Sequence, residues 1–504
     1  MTESTRHRPF TLEDSALGAL GDAFRRAGFD EAGVSGALGI KGISSIKDLS
    51  AETAYRRTSG PEDRNTFIRL FVIGSAVPRD RAETALGAPL ARWIEGGVLA
   101  EREGRLYAAI KVSPIGGLLL GFDRTWEGQA AETSDHVMGP SDSARLLSTL
   151  LIPASGGDAL DVGTGCGYLA FLAARGAKRV VATDLNGRAT AFVRFNAGLN
   201  RIRNVEARTG DMFAPVKGEA FDLIVSNPPF VISPEDRLVY LNGGMKADEF
   251  CRRLAAQAGT YLKPAGHFQM LCNWVETAGA DWRDRLASWF AGCGCDAWTL
   301  RSSSTAAADY AQNWLDLGQT LSENDRSARL AAWLAYYREE DISAIGGGAV
   351  IMRKRAGADH WFRAFDAPDR ISGHAGEDVR ARMDALDFLA RAAADDGSLL
   401  ASVLRVSPHA RLTQECLPAE GGWSLEKAQI RLIAGLSFRE EIDAWFAELI
   451  AACDGTRTLR EAIAVTEAAM DLAPGEAPAE TAEIVRQLVD EGFLIPALSR
   501  PAAG

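Results

Sequence analysis

The sequence predicts an α/β fold with a mostly parallel sheet, flanked by two further regions at the ends of the chain. Between Gly157 and about Arg355, short apolar runs alternate with stretches of helical pattern. Continuous apolar runs of this length are typical of parallel strands buried on both faces, and the helices between them fit β-α-β units. A glycine-rich segment, Asp161–Gly167, joins the first apolar run to a helical stretch rich in Ala and Leu. The fold prediction rests on the alternation of strands and helices and on this glycine-rich segment.

The elements of this region can be placed one by one. Predicted helices include Arg188–Leu199 and Asp248–Leu262, and a long helical insertion spans Thr305–Asp341. A further helix is expected at Ser141–Leu151, just before the glycine-rich segment. The seven predicted strands are Ala159–Val162, Arg179–Thr183, Asn204–Arg208, Phe221–Val225, His267–Cys272, Ala297–Leu300 and Ala349–Met352.

Length and composition limit the classes of protein that fit. A chain of 504 residues is too long for one core, and we expect three domains, at residues 1–125, 126–356 and 357–504. Apolar residues make up 47% and charged residues 24%, which is typical of globular proteins, and no apolar run reaches membrane-spanning length. The net charge of −12 argues against a protein that coats nucleic acid without specificity.

The cysteines and the first residues favour a cytoplasmic protein without a metal site. The seven cysteines are scattered, and the only close pair, Cys293-Gly294-Cys295, has no second pair or histidine cluster to complete a zinc site. Residues Met1–Ser4 do not begin a basic and then apolar secretion signal. Scattered thiols fit a reducing compartment, so we expect a cytoplasmic location.

The N-terminal region is predicted to be mostly helical and similar to a winged helix. Helices are expected at Leu17–Ala27, Asn65–Ile73, Pro78–Ala85 and Leu90–Gly96. A strand, a charged turn and a second strand follow in Gly97–Ile110. Helices followed by such a hairpin are typical of winged-helix modules, which dock nucleic acid or a substrate. The alternative is a packing domain that caps its neighbour.

The C-terminal region, from about Asp359, is predicted to form helices rich in Ala, Leu, Asp and Arg. Its last part, Cys453–Pro496, resembles a small winged-helix module of the PqqD-like peptide-carrier kind. A capping or dimerisation role is the alternative for this module.

An irregular polar segment, Gly121–Pro140, precedes the predicted core and contains Trp126, Asp135 and His136. In α/β enzymes such a segment often folds over the ligand. A solvated linker is the alternative for most of it.

Three carboxylates are predicted to lie at the carboxyl ends of consecutive strands. Glycines 163, 165 and 167 let the backbone approach a ligand closely, and the helix after them presents free N–H groups. Asp184 ends the second strand, 23 residues after Asp161, where a nucleotide-binding unit places a carboxylate for ribose hydroxyls. Asp211 follows the third strand and could accept from an adenine amino group. A tight strand-to-helix turn is the alternative for the loop alone.

The fourth strand ends in Asn227-Pro228-Pro229-Phe230. Two prolines fix two φ angles and hold the Asn227 side chain and the Pro228 carbonyl rigidly at the strand end. Both groups can accept hydrogen bonds from a planar –NH₂ group, and Phe230 offers a flat face for stacking. Such acceptors would orient a planar nitrogen toward an electrophile.

At these residues the chain resembles the class I S-adenosylmethionine-dependent methyltransferases, which have a Rossmann-like seven-stranded core. Within them it is similar to the small methyltransferases with an Asn-Pro-Pro-aromatic motif. These act on release-factor glutamine, on guanine N2 of ribosomal RNA, or on adenine N6. The resemblance implies S-adenosylmethionine as cofactor and an enzymatic N-methyl transfer, and the winged-helix-like ends predicted above lie outside the core that it covers.

The resemblance also implies a role for each motif residue. Asp161 would anchor the methionine amino group, Asp184 the ribose and Asp211 the adenine. The rest of the loop would hold the methionine part of the cofactor. The residues that it assigns to cofactor binding are Asp161, Gly163, Thr164, Gly165, Gly167, Asp184, Asp211 and Asn227, and those that it assigns to placing the acceptor are Asn227, Pro228 and Phe230.

The acceptor is expected to be a planar nitrogen of a macromolecule, either a protein such as a translation factor or an RNA. The guanine-N2 enzymes usually have a histidine soon after the motif, and here Val231 follows, which slightly favours a protein glutamine. An RNA or DNA base amine is the alternative, with a small-molecule amine as a further one. A regulator that keeps the core only as a scaffold is the alternative from another class.

Overall fold

The computed structural model describes residues 12–87, 90–124, 135–234, 244–318, 322–392, 396–419 and 422–497. The predictions at Met1–Ser4 and Trp126 lie outside these residues. The α-helices are α1 (Asp14–Arg26), α2 (Glu31–Leu38), α3 (Ala51–Arg57), α4 (Asp63–Phe67), α5 (Arg79–Leu86), α6 (Leu90–Glu95), α7 (Asp142–Leu150), α8 (Tyr168–Ala173), α9 (Gly187–Asn200), α10 (Glu249–Ala258), α11 (Trp282–Phe290), α12 (Ala307–Gly318), α13 (Glu323–Glu339), α14 (Gly376–Ala392), α15 (Asp396–Leu400), α16 (Ala444–Ala452), α17 (Leu459–Ala469) and α18 (Thr481–Asp490).

Short 3₁₀ helices lie at Ile43–Asp48, Ala214–Val216 and Gly259–Tyr261, and a π-helical segment, Ile68–Ile73, continues α4. The strands are β1 (Val77–Pro78), β2 (Leu99–Arg102), β3 (Arg105–Ala108), β4 (Lys111–Ile115), β5 (Leu118–Phe122), β6 (Asp158–Val162), β7 (Arg179–Asp184), β8 (Val205–Thr209), β9 (Phe221–Ser226), β10 (Leu262–Glu276), β11 (Cys295–Ala306), β12 (Ala344–Lys354), β13 (Phe362–Asp366), β14 (Ile371–Ser372), β15 (Val403–Val406), β16 (Ala410–Ala419), β17 (Gly422–Leu432), β18 (Gly435–Leu436), β19 (Arg439–Ile442), β20 (Asp454–Thr458) and β21 (Leu494–Pro496).

All seven predicted strands of the core are present, as β6 to β12. The sheet has eight strands rather than seven, in the order β13-β11-β12-β10-β9-β6-β7-β8. The added strand, β13, pairs in parallel with β11 and lies beyond the domain boundary predicted at residue 356. Strand β6 pairs in parallel with β7 and β9, and β8 and β10 continue the parallel arrangement on either side. The carboxyl ends of these strands therefore meet at one edge, as the sequence predicted.

The chain divides into two compact units. The first comprises Met1–Leu147, Ala154–Cys293 and Ser304–Gly347, and the second comprises Ser148–Pro153, Gly294–Ser303 and Gly348–Gly504. The three domains expected from the sequence, with their boundaries at residues 125 and 356, remain a prediction.

The N-terminal part of the first unit is mainly helical, as predicted. Helix α1 buries Phe24, whose ring lies 4.8 Å from those of Phe29 and Phe67. Aromatic rings in contact at this distance are a common way to fill a small helical core. Strands β1, β3 and β2 form an antiparallel sheet in that order, so the predicted hairpin is present. The likeness to a winged helix remains a prediction.

This helical part is tied to helix α9 of the core. Asp22 forms an ion pair with Arg201 at the end of α9, and Arg25 donates to the carbonyl of Leu199 at 3.1 Å. Because these contacts lie within the first unit, α1 and the core form one packed body there.

Helix α9 also fixes the hairpin formed by β4 and β5, which the sequence did not reveal. The amide of Asn196 accepts from the N–H of Gly121 at 2.6 Å, and it donates to the carbonyls of Gly121 at 3.0 Å and Cys166 at 2.9 Å. Asn200 forms a similar pair of hydrogen bonds with both backbone groups of Leu119. The side chains of Asn196, which is buried, and Asn200, which is partly buried, thus provide hydrogen bonds that a neighbouring strand would otherwise provide for this hairpin.

The C-terminal part of the second unit corrects the expectation of a mainly helical region, because strands β14 to β21 run between its helices. A buried apolar cluster includes Leu399, Leu449, Val485 and Phe493, which join α15, α16, α18 and the turn before β21. Strands β16 and β17 form a long hairpin, and nearly every residue of β16 is exposed. Strand β16 has no buried face and therefore lacks the alternating pattern that predicts a strand, whereas β17 buries Ala428, Ile430 and Leu432.

The described part of the chain contains no helix with the length and apolar character needed to span a lipid bilayer.

Candidate functional site

A cavity of about 650 Å³ opens at the carboxyl edge of the sheet, in the first unit. Its floor is formed by residues that follow β6, β7, β8 and β9. Of the residues that the sequence assigned to cofactor and acceptor, it is lined by Asp161, Gly163, Thr164, Gly165, Asp184, Asp211, Asn227, Pro228 and Phe230. The volume lies within the range typical of small-molecule sites, roughly 300–1,000 Å³.

The glycine-rich loop turns sharply because two of its residues adopt left-handed conformations beside the cavity. Gly163 has φ +72° and Gly165 has φ +55°, and open space lies where a Cβ would project from either residue. The N–H groups of Gly163 and Thr164 both donate to the carbonyl of Thr183 at 2.9 Å, which joins the loop to β7. The backbone is thereby held open to a ligand.

Gly167 was expected beside the ligand with the other loop glycines, but it lies at the start of a helix. It does not line the cavity but lies at the start of α8, with φ +91°. A Cβ there would lie 2.6 Å from the Phe171 ring. Gly167 therefore forms the turn into the helix, and its assignment to cofactor binding remains a prediction.

Asp161 is the buried acidic group of the cavity, with 1% of its surface exposed. Its Oδ2 accepts from Thr164 Oγ1 at 2.7 Å and from the N–H of Ala170 at 3.0 Å. Its Oδ1 is buried and has no hydrogen-bond partner among the described residues. Burial raises the pKa of Asp161 to about 7, although the two hydrogen bonds act in the opposite direction. An unpaired buried carboxylate oxygen is suited to a cationic or N–H donor group of a ligand.

Asp184 and Asp211 lie on the far side of the loop. The carboxylate of Asp184 accepts from the N–H groups of Gly165 and Asn186, each at 2.9 Å, and burial raises its pKa. Asp211 is exposed at the cavity and is followed by Met212, which is buried with φ +43°. A left-handed non-glycine residue is unusual, and here it turns the chain directly after Asp211.

The Asn227–Phe230 segment forms the wall opposite Asp184. Asn227 Oδ1 is buried and has no partner among the described residues, and Nδ2 lies 3.5 Å from Ser141 Oγ. The preceding residue, Ser226, donates to the carbonyl of Val162 at 2.7 Å and thus joins the ends of β9 and β6. Asn227 and Asp161 therefore each bring an unpaired oxygen to the same cavity.

Residues just before α7 also line the cavity, among them Asp135, His136 and Ser141. The sequence suggested that this segment folds over a ligand, and the structure brings its described part to the cavity. The N–H of Val137 donates to Asp123 Oδ2 at 2.9 Å, and that carboxylate also pairs with Arg188 of α9. Burial lowers the pKa of His136. The segment is thus connected to helix α9 through Asp123.

The insertion and the chain before it add three large side chains that the sequence analysis missed. Met245, Phe250 and Trp314 line the cavity together with Phe230. Trp314 lies on α12, more than eighty residues after Phe230 along the chain. No local pattern could have placed it there, because the contact depends on how the insertion folds back.

Acidic groups dominate the charge of the cavity. Among the residues that the structure describes, its charged side chains are the carboxylates of Asp135, Asp161, Asp184 and Asp211, and His136 is a titratable base. These groups favour a ligand that carries positive charge and disfavour a polyanion.

The region that forms the cavity is similar in sequence to known proteins. A family model described as "Methyltransferase small domain" matches residues 140–278. A protein of Methanocaldococcus jannaschii named for protein N5-glutamine methyltransferase activity is 33% identical over 152 residues, which are 29% of this chain and 76% of the relative. This chain belongs to the methyltransferase small-domain family. It is an S-adenosylmethionine-dependent methyltransferase.

Other relatives of this methyltransferase carry the name release factor glutamine methyltransferase. The one from Cereibacter sphaeroides is 30% identical over 221 residues, 38% of this chain and 78% of the relative. The one from Xylella fastidiosa is 34% identical over 131 residues, 23% of this chain and 47% of the relative. The chain thus spans about half the length of several curated relatives.

The flanks of the methyltransferase match two families without an assigned role. Models described as domains of unknown function, DUF7059 and DUF7782, match residues 26–109 and 381–496. Among solved structures, the ribosomal protein L11 methylase of Lactobacillus delbrueckii is 21% identical, with a TM-score of 0.25 over 44% of this chain and 82% of its own. The YcgJ protein of Bacillus subtilis gives 12% identity and a TM-score of 0.30 over 42% and 97%. TM-scores of 0.25 and 0.30 are too low to support a conclusion about this chain.

The residues of the cavity fit the cofactor that the family uses. The loop glycines leave open space beside the backbone, and Asp161 offers a buried, unpaired oxygen to a cationic group. The acidic lining also suits a ligand that carries a sulfonium and an ammonium group. The part of each residue in holding the cofactor remains a prediction.

Proposed function

We propose that this methyltransferase transfers a methyl group to the side-chain amide nitrogen of a glutamine in a protein. The observation that carries the proposal is the buried, unpaired Oδ1 of Asn227 in the cavity, next to Pro228 and Phe230. Such an oxygen accepts a hydrogen bond from a planar –NH₂ group, and the ring of Phe230 can stack on the same plane. The relatives named for glutamine methylation support this acceptor.

The cofactor, when bound, supplies an electrophilic methyl group on a sulfonium sulfur. In our proposal, Asp161 holds its cationic amino group, Asp184 its ribose hydroxyls and Asp211 its adenine amine. Glycines 163 and 165 allow the loop backbone to approach it.

On the acceptor side, Asn227 Oδ1 and the Pro228 carbonyl accept the two amide hydrogens and orient the nitrogen. Two fixed acceptors hold the amide plane so that the nitrogen lone pair faces the methyl group. The aromatic and apolar walls from Phe230, Phe250 and Trp314 exclude water from the reacting atoms. The proton can leave the nitrogen after the transfer, so no strong base is needed in the cavity.

The charge of the cavity favours a protein over a nucleic acid as acceptor. Four carboxylates line it, and a phosphate backbone close to them would be repelled. A glutamine side chain is neutral and can enter without this cost.

The proposal is tested by incubating the purified enzyme with methyl-labelled S-adenosylmethionine and a bacterial translation release factor. We expect label in a single glutamine-containing peptide, identified by mass spectrometry, and no label with an Asn227→Ala enzyme. A release factor whose glutamine is replaced by glutamate is the matched control. No label in any protein, with the label instead in RNA, would contradict the glutamine acceptor.

A nucleic-acid base amine is the second candidate, because the N-terminal part combines helices with a three-stranded sheet of the kind expected for a winged helix. Labelling of total RNA in the same assay would favour it. For either acceptor we propose a cytoplasmic location, which follows from the expectation drawn from the scattered cysteines.

A further inference from the structure

Two tyrosine hydroxyls of the insertion bind both backbone groups of a single residue, Ile232. The N–H of Ile232 donates to Tyr310 Oη at 3.3 Å, and Tyr337 Oη donates to the carbonyl of Ile232 at 2.8 Å. We propose that Tyr310 and Tyr337, called here the tyrosine clamp, are positioning residues that hold the acceptor motif through Ile232. The inference rests on the proposed role of Asn227–Phe230 in binding the acceptor.

The acceptor motif lies in chain that needs support from outside. Residues 227–234 follow β9 without forming a strand or helix, so no sheet or helix hydrogen bonds hold them. Pro228 and Pro229 lack N–H donors. Ile232 is completely buried, and buried backbone groups must find partners. The tyrosine clamp supplies those partners two residues after Phe230.

The clamp is itself fixed to the central sheet. Asn273, on β10, donates from Nδ2 to Tyr310 Oη at 2.8 Å. Tyr337 packs edge-on against Trp333 at 6.1 Å, and both belong to a buried cluster with Val231. The hydroxyls therefore have little freedom, and a small displacement of either would be passed to Ile232.

The clamp hydroxyls remain protonated across the physiological range. Burial raises the pKa of Tyr310 to about 12, and burial also raises the pKa of Tyr337. Tyr337 must keep its hydroxyl proton to donate to the Ile232 carbonyl. Its raised pKa keeps that proton in place, so the hydrogen bond is maintained.

Tyr310 also links the clamp to the cavity wall. Trp314 lies one helical turn after Tyr310 on α12, and the two ring centres are 6.1 Å apart. Trp314 and Phe230 both line the cavity. The insertion thus contributes Trp314 to the cavity wall and also supports the motif after β9 through Ile232. A glutamine amide must be held within a narrow range of geometries for methyl transfer. Loss of this rigidity should therefore lower kcat.

The chain offers a matched control next to the clamp. Tyr336 lies beside Tyr337 on α13, and its Oη accepts from the N–H of Ala247 at 2.9 Å. Tyr336→Phe removes the same kind of hydrogen bond, but at a residue that is neither in the motif nor at the cavity.

The experiment compares Tyr310→Phe, Tyr337→Phe and Tyr336→Phe in the full-length enzyme. Four quantities are measured: kcat and KM with an unmethylated protein that the wild-type enzyme methylates, the Kd of S-adenosylhomocysteine, and amide hydrogen exchange of residues 227–234. A lost hydrogen bond changes rates by roughly 2- to 10-fold. We expect each clamp variant to lower kcat by that factor and to speed exchange, with the Kd within about twofold of wild type. Tyr336→Phe should change none of them.

Faster exchange with an unchanged kcat would overturn the proposal, because the clamp would then be structural only. A loss of S-adenosylhomocysteine binding in proportion to kcat would also overturn it, since the effect would lie on the cofactor side. If one variant fails to fold, the other decides. If wild type labels RNA rather than protein, the proposed acceptor is wrong, and the same comparison made with that RNA still decides the role of the clamp.

Discussion

Replacing Asp161 by Asn tests whether this carboxyl group sets the pH dependence of cofactor binding. Burial raises its pKa to about 7, and the charge of Asp184 adds to that shift. Without ligand, Asp161 therefore ionises near neutral pH. A cationic amino group beside its unpaired Oδ1 favours the ionised form, so binding and ionisation are coupled.

The size of the effect follows from the pKa. With a pKa of about 7, roughly a tenth of Asp161 is ionised at about pH 6 and roughly nine tenths at about pH 8. If the ionised form alone pairs with the ammonium group, affinity rises about tenfold across this range, which is about 1.4 kcal/mol. S-adenosylhomocysteine is the suitable probe, because it keeps the amino group of the cofactor and cannot react.

Calorimetric titration at several pH values measures the effect. We expect a tenfold rise in wild-type affinity and a weaker affinity without that rise in Asp161→Asn. His136→Gln is the control for the other titratable group nearby, and it should keep the rise because burial lowers the pKa of His136. In Asp184→Asn the midpoint should move to lower pH, since one cause of the raised pKa is removed.

Two results would refute this reasoning. One is a wild-type Kd that stays constant between about pH 6 and pH 8. The other is an Asp161→Asn enzyme with the same pH dependence as wild type, which would assign the titration to another group.

Four further outcomes follow from the site and its supports. Asn227→Ala should lower turnover by at least ~10²-fold while the Kd of S-adenosylhomocysteine changes little, as lost transition-state hydrogen bonds do, and an active variant would refute its role. Gly165→Ala, at φ +55°, should cost about 1–2 kcal/mol of stability and weaken ligand binding in calorimetry. Asn196→Leu leaves backbone groups of Gly121 unpaired and should lower the free energy of unfolding in urea by about 3 kcal/mol. In the ligand-free enzyme, the pKa of Asp161 is about 7 in the folded state and 3.8 in the unfolded state. Its contribution to the free energy of unfolding therefore falls as the pH rises from 3.8 to about 7. Asp161→Asn should remove this pH dependence of stability.

The core was predictable because its signals are local. Each predicted strand is a short apolar run, and all seven are present: β6 to β9 begin and end within one residue of the predicted bounds, and β10 to β12 extend up to six residues beyond them. The carboxylates and the Asn227–Phe230 motif were placed together because parallel strands end at the same edge of a sheet. For this reason every residue assigned to the site reaches the cavity except Gly167, whose φ angle served the helix start.

The misses have a common physical cause, which is dependence on distant chain. The β4–β5 hairpin is held by Asn196 and Asn200, more than seventy residues further along. Tyr310 reaches Ile232 across 78 residues of sequence. Strand β16 is exposed along nearly its whole length and therefore lacks an alternating pattern. None of these contacts leaves a signal in the spacing of neighbouring residues.

The acceptor side of the cavity in our proposal draws on two parts of the chain, because Asn227–Phe230 and Phe250 lie within residues 140–278 and Trp314 lies beyond them. The carboxylates of the cofactor side lie within residues 140–278, which the family model matches, apart from Asp135. Trp314 and the tyrosine clamp come from the insertion, which lies beyond that range. A change in the insertion can therefore alter the fit of the acceptor while the binding of the cofactor is preserved. Similarity over the matched range supports the methyl-transfer chemistry, whereas the contribution of the insertion to the choice of acceptor must be tested with variants of α12 and α13.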